Sequence, residues 1–153
     1  MEDFLFMLED SSIGLLISSS IWGYPIALSL HALGMGVLVG ISVMLSLRVM
    51  GFAKAIPKSA ILPYWRLAIA GFIVNLLSGT ALFMGSASSL ASNWAFFAKF
   101  GCLIISLILT RRLVQVSFRT TDDTTKGNRT LALGTLAAWA ATIIFGRIIG
   151  YIF

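Results

Sequence analysis

Four long apolar stretches, at about 21–50, 62–85, 94–116 and 131–153, dominate this chain. A helix needs roughly 20 apolar residues to cross the hydrocarbon of a bilayer, and each stretch meets that length. Hydrocarbon offers no water to bond a free N–H or C=O. Each stretch must therefore close its hydrogen bonds within itself, as an α-helix. Period-two alternation, the mark of a transmembrane β-strand, is missing. The expectation is an all-α protein, a single membrane domain over 1–153 built as a four-transmembrane-helix bundle. Residues 1–20 precede the first span as a short segment.

Composition agrees with lipid as the solvent. The 153 residues are 58% hydrophobic and 11% charged, against about 25% charged in a soluble domain. The net charge of +5 sits in the short connections between apolar stretches. It forms no basic face interleaved with aromatics, which excludes a nucleic-acid partner. Cys102, the sole cysteine, lies in an apolar stretch, so no intrachain disulfide is possible and a thiolate metal cluster is not expected. The acidic start (Glu2, Asp3, Glu9, Asp10) is the reverse of a basic secretory leader, so none is expected.

The breaks between stretches are readable. Gly51 to Pro57 reads as a linker, and Pro63 suits the first turn of the second span. Ser86 to Asn93 is rich in Ser and Ala, with Asn93 placed to cap the third span. Ser117 to Arg129, which contains TTDDTT, reads as a hydrated loop. Arg48, Lys54, Lys58 and Arg66 flank the first connection; Arg111, Arg112, Arg119, Lys126 and Arg129 flank the third. These make up nine of the 11 basic residues, so the positive-inside rule puts both connections in the cytoplasm. Both termini then face the periplasm of a bacterial inner membrane. Trp22, Tyr24, Trp94 and Tyr151 form an outer aromatic belt, with Tyr64 and Trp65 at the inner interface. In the N-terminal segment Phe4, Leu5 and Leu8 make one apolar face with Glu2, Asp3 and Glu9 away from it, as in a helix lying on the outer surface or against a partner subunit.

The residues able to carry chemistry are few. His31, the only histidine, lies roughly 9 Å into the apolar layer from the Tyr24–Pro25 boundary. Lys99 and Arg147 lie roughly 7 and 6 Å inside the outer edge. Three spans thus place an imidazole and two cations at one level, and no span contains a carboxylate to neutralise them. Intramembrane ionisable groups mark function by default, and an anion is wanted here. Haem b supplies one: His31 would ligate the metal, with Lys99 and Arg147 on the propionates and Met84 as a second axial ligand. The plainer alternatives are a packing hydrogen bond for His31, snorkelling for the two cations and core filling for Met84. Asn75 suits an interhelical hydrogen bond, and Gly36-x-x-x-Gly40 and Gly146-x-x-x-Gly150 suit close helix approach. No Walker loop, GxSxG, HExxH or dinucleotide fingerprint is present, so catalysis is not indicated.

The segment WGYPIALSLHALGMGVLVGISVMLSLRVMG resembles the first span of an uncharacterised family of small bacterial four-helix membrane proteins, through Trp22, Pro25, His31, Gly34, Leu47, Arg48 and Gly51. The segments SGTALFMG and FFAKFGCLIISLIL, with Lys99, extend the resemblance over most of the chain. That family is distantly similar to the copper-resistance-D proteins and to four-helix b-type cytochromes. The resemblance implies haem or copper near the outer face. A single histidine departs from the several that such cytochromes carry, which excludes a dihaem site.

Three functions follow as expectations. One is a b-type haem subunit for electron transfer, with quinol or a periplasmic redox protein as partner. Another is a structural or accessory subunit of a larger membrane complex or homo-oligomer. The third is binding or transport of copper or a small anion.

Overall fold

The computed structural model describes residues 2–119 and 125–151, with the backbone alone for Lys58 and Arg119. Regular structure among these residues is helical throughout: α1 (Glu2–Glu9), α2 (Ser12–Ser19), α3 (Gly23–Met50), α4 (Ile61–Met84), α5 (Ala87–Ala91), α6 (Trp94–Arg119) and α7 (Lys126–Ile149), with a 3-10 turn at Lys58–Ala60. The helices α3, α4, α6 and α7 are each long and apolar enough to cross a membrane. The chain is an integral membrane protein of the expected four-span type.

Local chemistry sets the helix ends. Gly51 takes φ +96°, a left-handed conformation open to glycine, and ends α3. Its N–H bonds Arg48 O at 2.9 Å, and the Phe52 N–H bonds Leu47 O at 2.9 Å. Pro63 lies in the first turn of α4, where its missing N–H costs nothing. Asn93 caps α6 as expected, its Oδ1 accepting from the Ala95 N–H at 2.9 Å.

Elsewhere the boundaries move. The Ser/Ala-rich connection folds into the five-residue α5. The loop expected over Ser117 to Arg129 is shorter, because α6 runs on to Arg119 and α7 begins at Lys126. Lys and Arg are good helix formers, and a polar turn beyond the hydrocarbon remains solvated. Asp122 and Asp123, with residues 152–153 of the fourth span, lie outside the described residues.

The N-terminal segment is two helices rather than one. Ser11 separates them, its Oγ accepting from the Gly14 N–H at 3.1 Å to cap α2. The apolar face of α1 also needs correction. Leu5, Leu8 and Glu9 are the partly buried positions, while Phe4, Phe6 and Met7 are exposed. Residues four apart share a helix face, so Glu9 sits below Leu5 rather than away from it. Its carboxylate accepts from the Ser88 N–H at 2.8 Å and the Ser88 hydroxyl at 2.7 Å, fastening α1 to α5. The Ser88 hydroxyl bond first, then its backbone bond, holds the Glu9 carboxyl below its ordinary value.

In the bundle α3 packs closely on α4, α6 on α7, and α3 also meets α7. Small residues set the α3–α4 approach, but not those expected. A Cβ on Gly34 would lie 2.6 Å from Gly71 O and 2.7 Å from Asn75 N, so only glycine fits that crossing. Gly36 and Gly40 have open space at their Cβ positions and do not mediate close approach. Gly150 meets only Arg147 O of its own turn. The apolar core lies toward the basic end, around Leu38, Leu45, Val49, Ile61, Leu113 and Trp139. There the Trp139 Nε1–H donates to Thr110 Oγ1 at 3.0 Å, and the Ser106 and Thr142 hydroxyls lie 3.2 Å apart. These polar contacts stitch α6 to α7 without leaving a buried group to lipid.

Candidate binding site at His31 and Lys99

The close glycine crossing of α3 and α4 brings His31 against Asn75, one turn toward the N-terminal end of the bundle from Gly34. The two residues exchange hydrogen bonds. His31 Nδ1 lies 3.0 Å from the Asn75 backbone oxygen, and Asn75 Nδ2 donates to the His31 backbone oxygen at 2.9 Å. A carbonyl only accepts, so Nδ1 carries the hydrogen and Nε2 keeps its lone pair. Ser78 Oγ lies 3.4 Å from the same Nδ1. Gly79 makes room for the ring: a Cβ there would stand 3.0 Å from His31 Cε1. Asn75, Ser78 and Gly79 occupy one face of α4, at the i, i+3, i+4 spacing of a helix.

Lys99 completes the site from α6. Its Nζ lies 3.4 Å from His31 Nε2, the nitrogen that can only accept, so the ammonium donates there. The lysine does not snorkel. Its chain crosses the surface of α7 at Gly146, where a Cβ would lie 3.4 Å from Lys99 Cε and 3.7 Å from Nζ. Four helices therefore build the pair: α3 supplies the imidazole, α4 orients it, α6 supplies the ammonium and α7 gives it space.

The other two expected site residues are not brought to this place. Arg147 follows Gly146 and is rotated from it by about 100° about the helix axis. It is exposed, with Nη2 3.4 Å from Tyr151 Oη and its guanidinium carbon 5.3 Å from the Tyr151 ring centre. Met84 lies nine residues beyond Asn75, so it is about 180° around α4 and about 13 Å further along its axis.

Comparison with protein-family models, curated proteins and solved structures finds no match. The site is read from its own geometry.

Of the four residues expected around a haem, this geometry brings His31 and Lys99 together and leaves Arg147 and Met84 elsewhere. The imidazole nitrogen that iron would take receives the Lys99 ammonium, Arg147 faces Tyr151, and Met84 turns to the opposite face of α4. No group of three or more His, Cys, Asp or Glu that could hold a metal occurs among the described residues. What the site does provide is a cation held inside the membrane. Two of its three N–H donors are not directed at His31. The six Asp and Glu residues of the chain are Glu2, Asp3, Glu9, Asp10, Asp122 and Asp123, all outside the spans. An ammonium in low dielectric is strongly disfavoured without an anion beside it.

Of these features, His31, Lys99 and Asn75 were readable from composition and depth. Ser78 and Gly79 were missed. Their one signal was spacing, since they follow Asn75 by three and four residues and so share its face.

Proposed function

We propose that this protein is a non-catalytic membrane subunit whose working part is the Lys99–His31 pair, which holds an anionic group belonging to another molecule. One observation carries the reading: Lys99 turns inward to His31 Nε2, across Gly146, in a bundle whose spans contain no carboxylate. Four-helix support for a single ammonium is more than snorkelling needs. It fits an accessory subunit that completes its charge balance on assembly. By the basic residues of its connections, the protein belongs in a bacterial inner membrane with both termini periplasmic. The pair then lies in the periplasmic half of the bilayer.

A second reading keeps His31 as the single axial ligand of a b-type haem in electron transfer, with quinol or a periplasmic redox protein as partner. The observation that favours it is the Nδ1–H bond to the Asn75 carbonyl, the same support that orients metal-ligating imidazoles. It requires Lys99 to leave Nε2. Copper at His31 is the metal-only version of this reading.

The absorption spectrum and metal content of the purified protein separate the two. The first reading expects a colourless, metal-free protein. A Soret band or stoichiometric copper, lost in His31→Ala, would replace it with the second.

A further inference from the structure

Resting on the anion-holding reading, we infer that the group which pairs with Lys99 is a carboxylate on a transmembrane helix of a different protein. Charge complementarity and position narrow the choice to this. A second copy of the chain cannot supply an acidic side chain from a span, because its Asp and Glu residues lie in the N-terminal segment and between α6 and α7, outside every span. Glu9 is in addition engaged by Ser88. Homo-oligomerisation therefore leaves the ammonium as it was. A lipid phosphate stands at the membrane surface, whereas Lys99 lies roughly 7 Å inside the outer edge by residue count and its ammonium is engaged with His31. The anion has to enter the hydrocarbon, and a side chain carried on an apolar helix does so at least cost.

The bundle has a side from which such a helix can approach. While α3 packs closely on α4, and α6 on α7, the helices α4 and α6 hardly touch. They meet through the stacked rings of Phe83 and Phe96, 5.4 Å apart, near the N-terminal end. His31 lies against Gly79 of α4 on one side and Lys99 of α6 on the other, so the pair borders this loosely closed seam. A partner helix laid along the seam would bring an Asp or Glu to the two remaining Lys99 donors. His31 would hold the ammonium in place through the third. The arrangement matches a neutral membrane assembly made from two parts that are each charged alone.

The test uses the full chain in lipid nanodiscs, donor-labelled at Ser89→Cys in a Cys102→Ser background. The probes are two acceptor-labelled, single-span Leu/Ala peptides, one with Glu at the depth of Lys99 and one with Gln there. The Glu peptide is expected to associate about tenfold more tightly than the Gln peptide, the equivalent of about 1.4 kcal/mol. Lys99→Met should erase that difference and Lys99→Arg should keep it, with an unchanged near-ultraviolet dichroism spectrum of the aromatic side chains confirming that each variant is folded. Equal association of the two peptides, or a difference that survives Lys99→Met, overturns the inference.

A second measurement tells its failure apart from that of the wider reading. Selective labelling with carbon-13, nitrogen-15 lysine gives the Lys99 side chain an NMR signal, assigned by its loss in Lys99→Met. If acetate or inorganic phosphate moves that signal while the peptides fail to discriminate, the site holds a free anion and the partner helix is wrong. If neither probe responds, both the inference and the anion-holding function fall.

Discussion

Replacing His31 with Leu should cost clearly more than replacing Asn75 with Leu, although each removes one of a matched pair of hydrogen bonds. Asn75→Leu deletes the bond from Nδ2 to the His31 backbone oxygen. That oxygen already accepts within its own helix, so nothing is left unsatisfied. The loss is that of one interhelical bond in a membrane protein, about 0.6 kcal/mol on average and up to about 1.7. His31→Leu deletes the bond from Nδ1 to the Asn75 oxygen and removes the acceptor at Nε2 as well. The Lys99 ammonium then loses its one acceptor among the described residues. An unsatisfied buried donor adds about 1–3 kcal/mol, more for a charged group, so the total should reach about 2–4 kcal/mol. Adding Lys99→Met to His31→Leu should recover part of that loss. The assay is reversible unfolding of the purified protein in mixed micelles of increasing SDS fraction, followed by tryptophan fluorescence. If His31→Leu costs no more than Asn75→Leu, or the His31→Leu/Lys99→Met double variant is no more stable than His31→Leu, then the ammonium does not depend on the imidazole.

Gly34→Ala should destabilise the α3–α4 pair by about 1–3 kcal/mol, because its methyl meets the backbone of α4 at Gly71 and Asn75. Gly36→Ala and Gly40→Ala should be neutral or mildly stabilising, since both Cβ positions are open and alanine is the better helix former; the same unfolding assay compares the three. The Glu9 carboxyl is held below its ordinary value in the folded protein, so the stabilising contact is complete above the ordinary carboxylate range and is lost as pH falls through the lowered value. The protection of α1 against hydrogen exchange, corrected for the intrinsic rate at each pH, should therefore fall in acid and at neutral pH in Glu9→Ala, with α3, α4, α6 and α7 unchanged; protection of α1 that ignores both would refute the Ser88 fastening.

Several levels of this protein are written in the linear pattern because their causes are local or solvent-wide. A run of twenty apolar residues has one way to satisfy its backbone in lipid, so four such runs make four helices whatever their neighbours do. Gly51, Pro63 and Asn93 act on their own turns and were legible as the start of a linker, a first-turn residue and a cap. The depth of His31 and Lys99 follows from counting along those helices. Rotation about each axis and the pairing between helices do not follow from counting. The glycines that set the α3–α4 distance are Gly34 and Gly71, on different helices and in no shared motif, while the visible Gly36–Gly40 spacing faces open space. Arg147 lies on another face of α7 from Gly146, and Met84 is displaced from Asn75 both around and along α4; azimuth is a quantity that only neighbouring helices define. Which side of a helix meets a partner depends on how all four pack at once, and it took the folded bundle to turn the Lys99 ammonium inward onto the histidine.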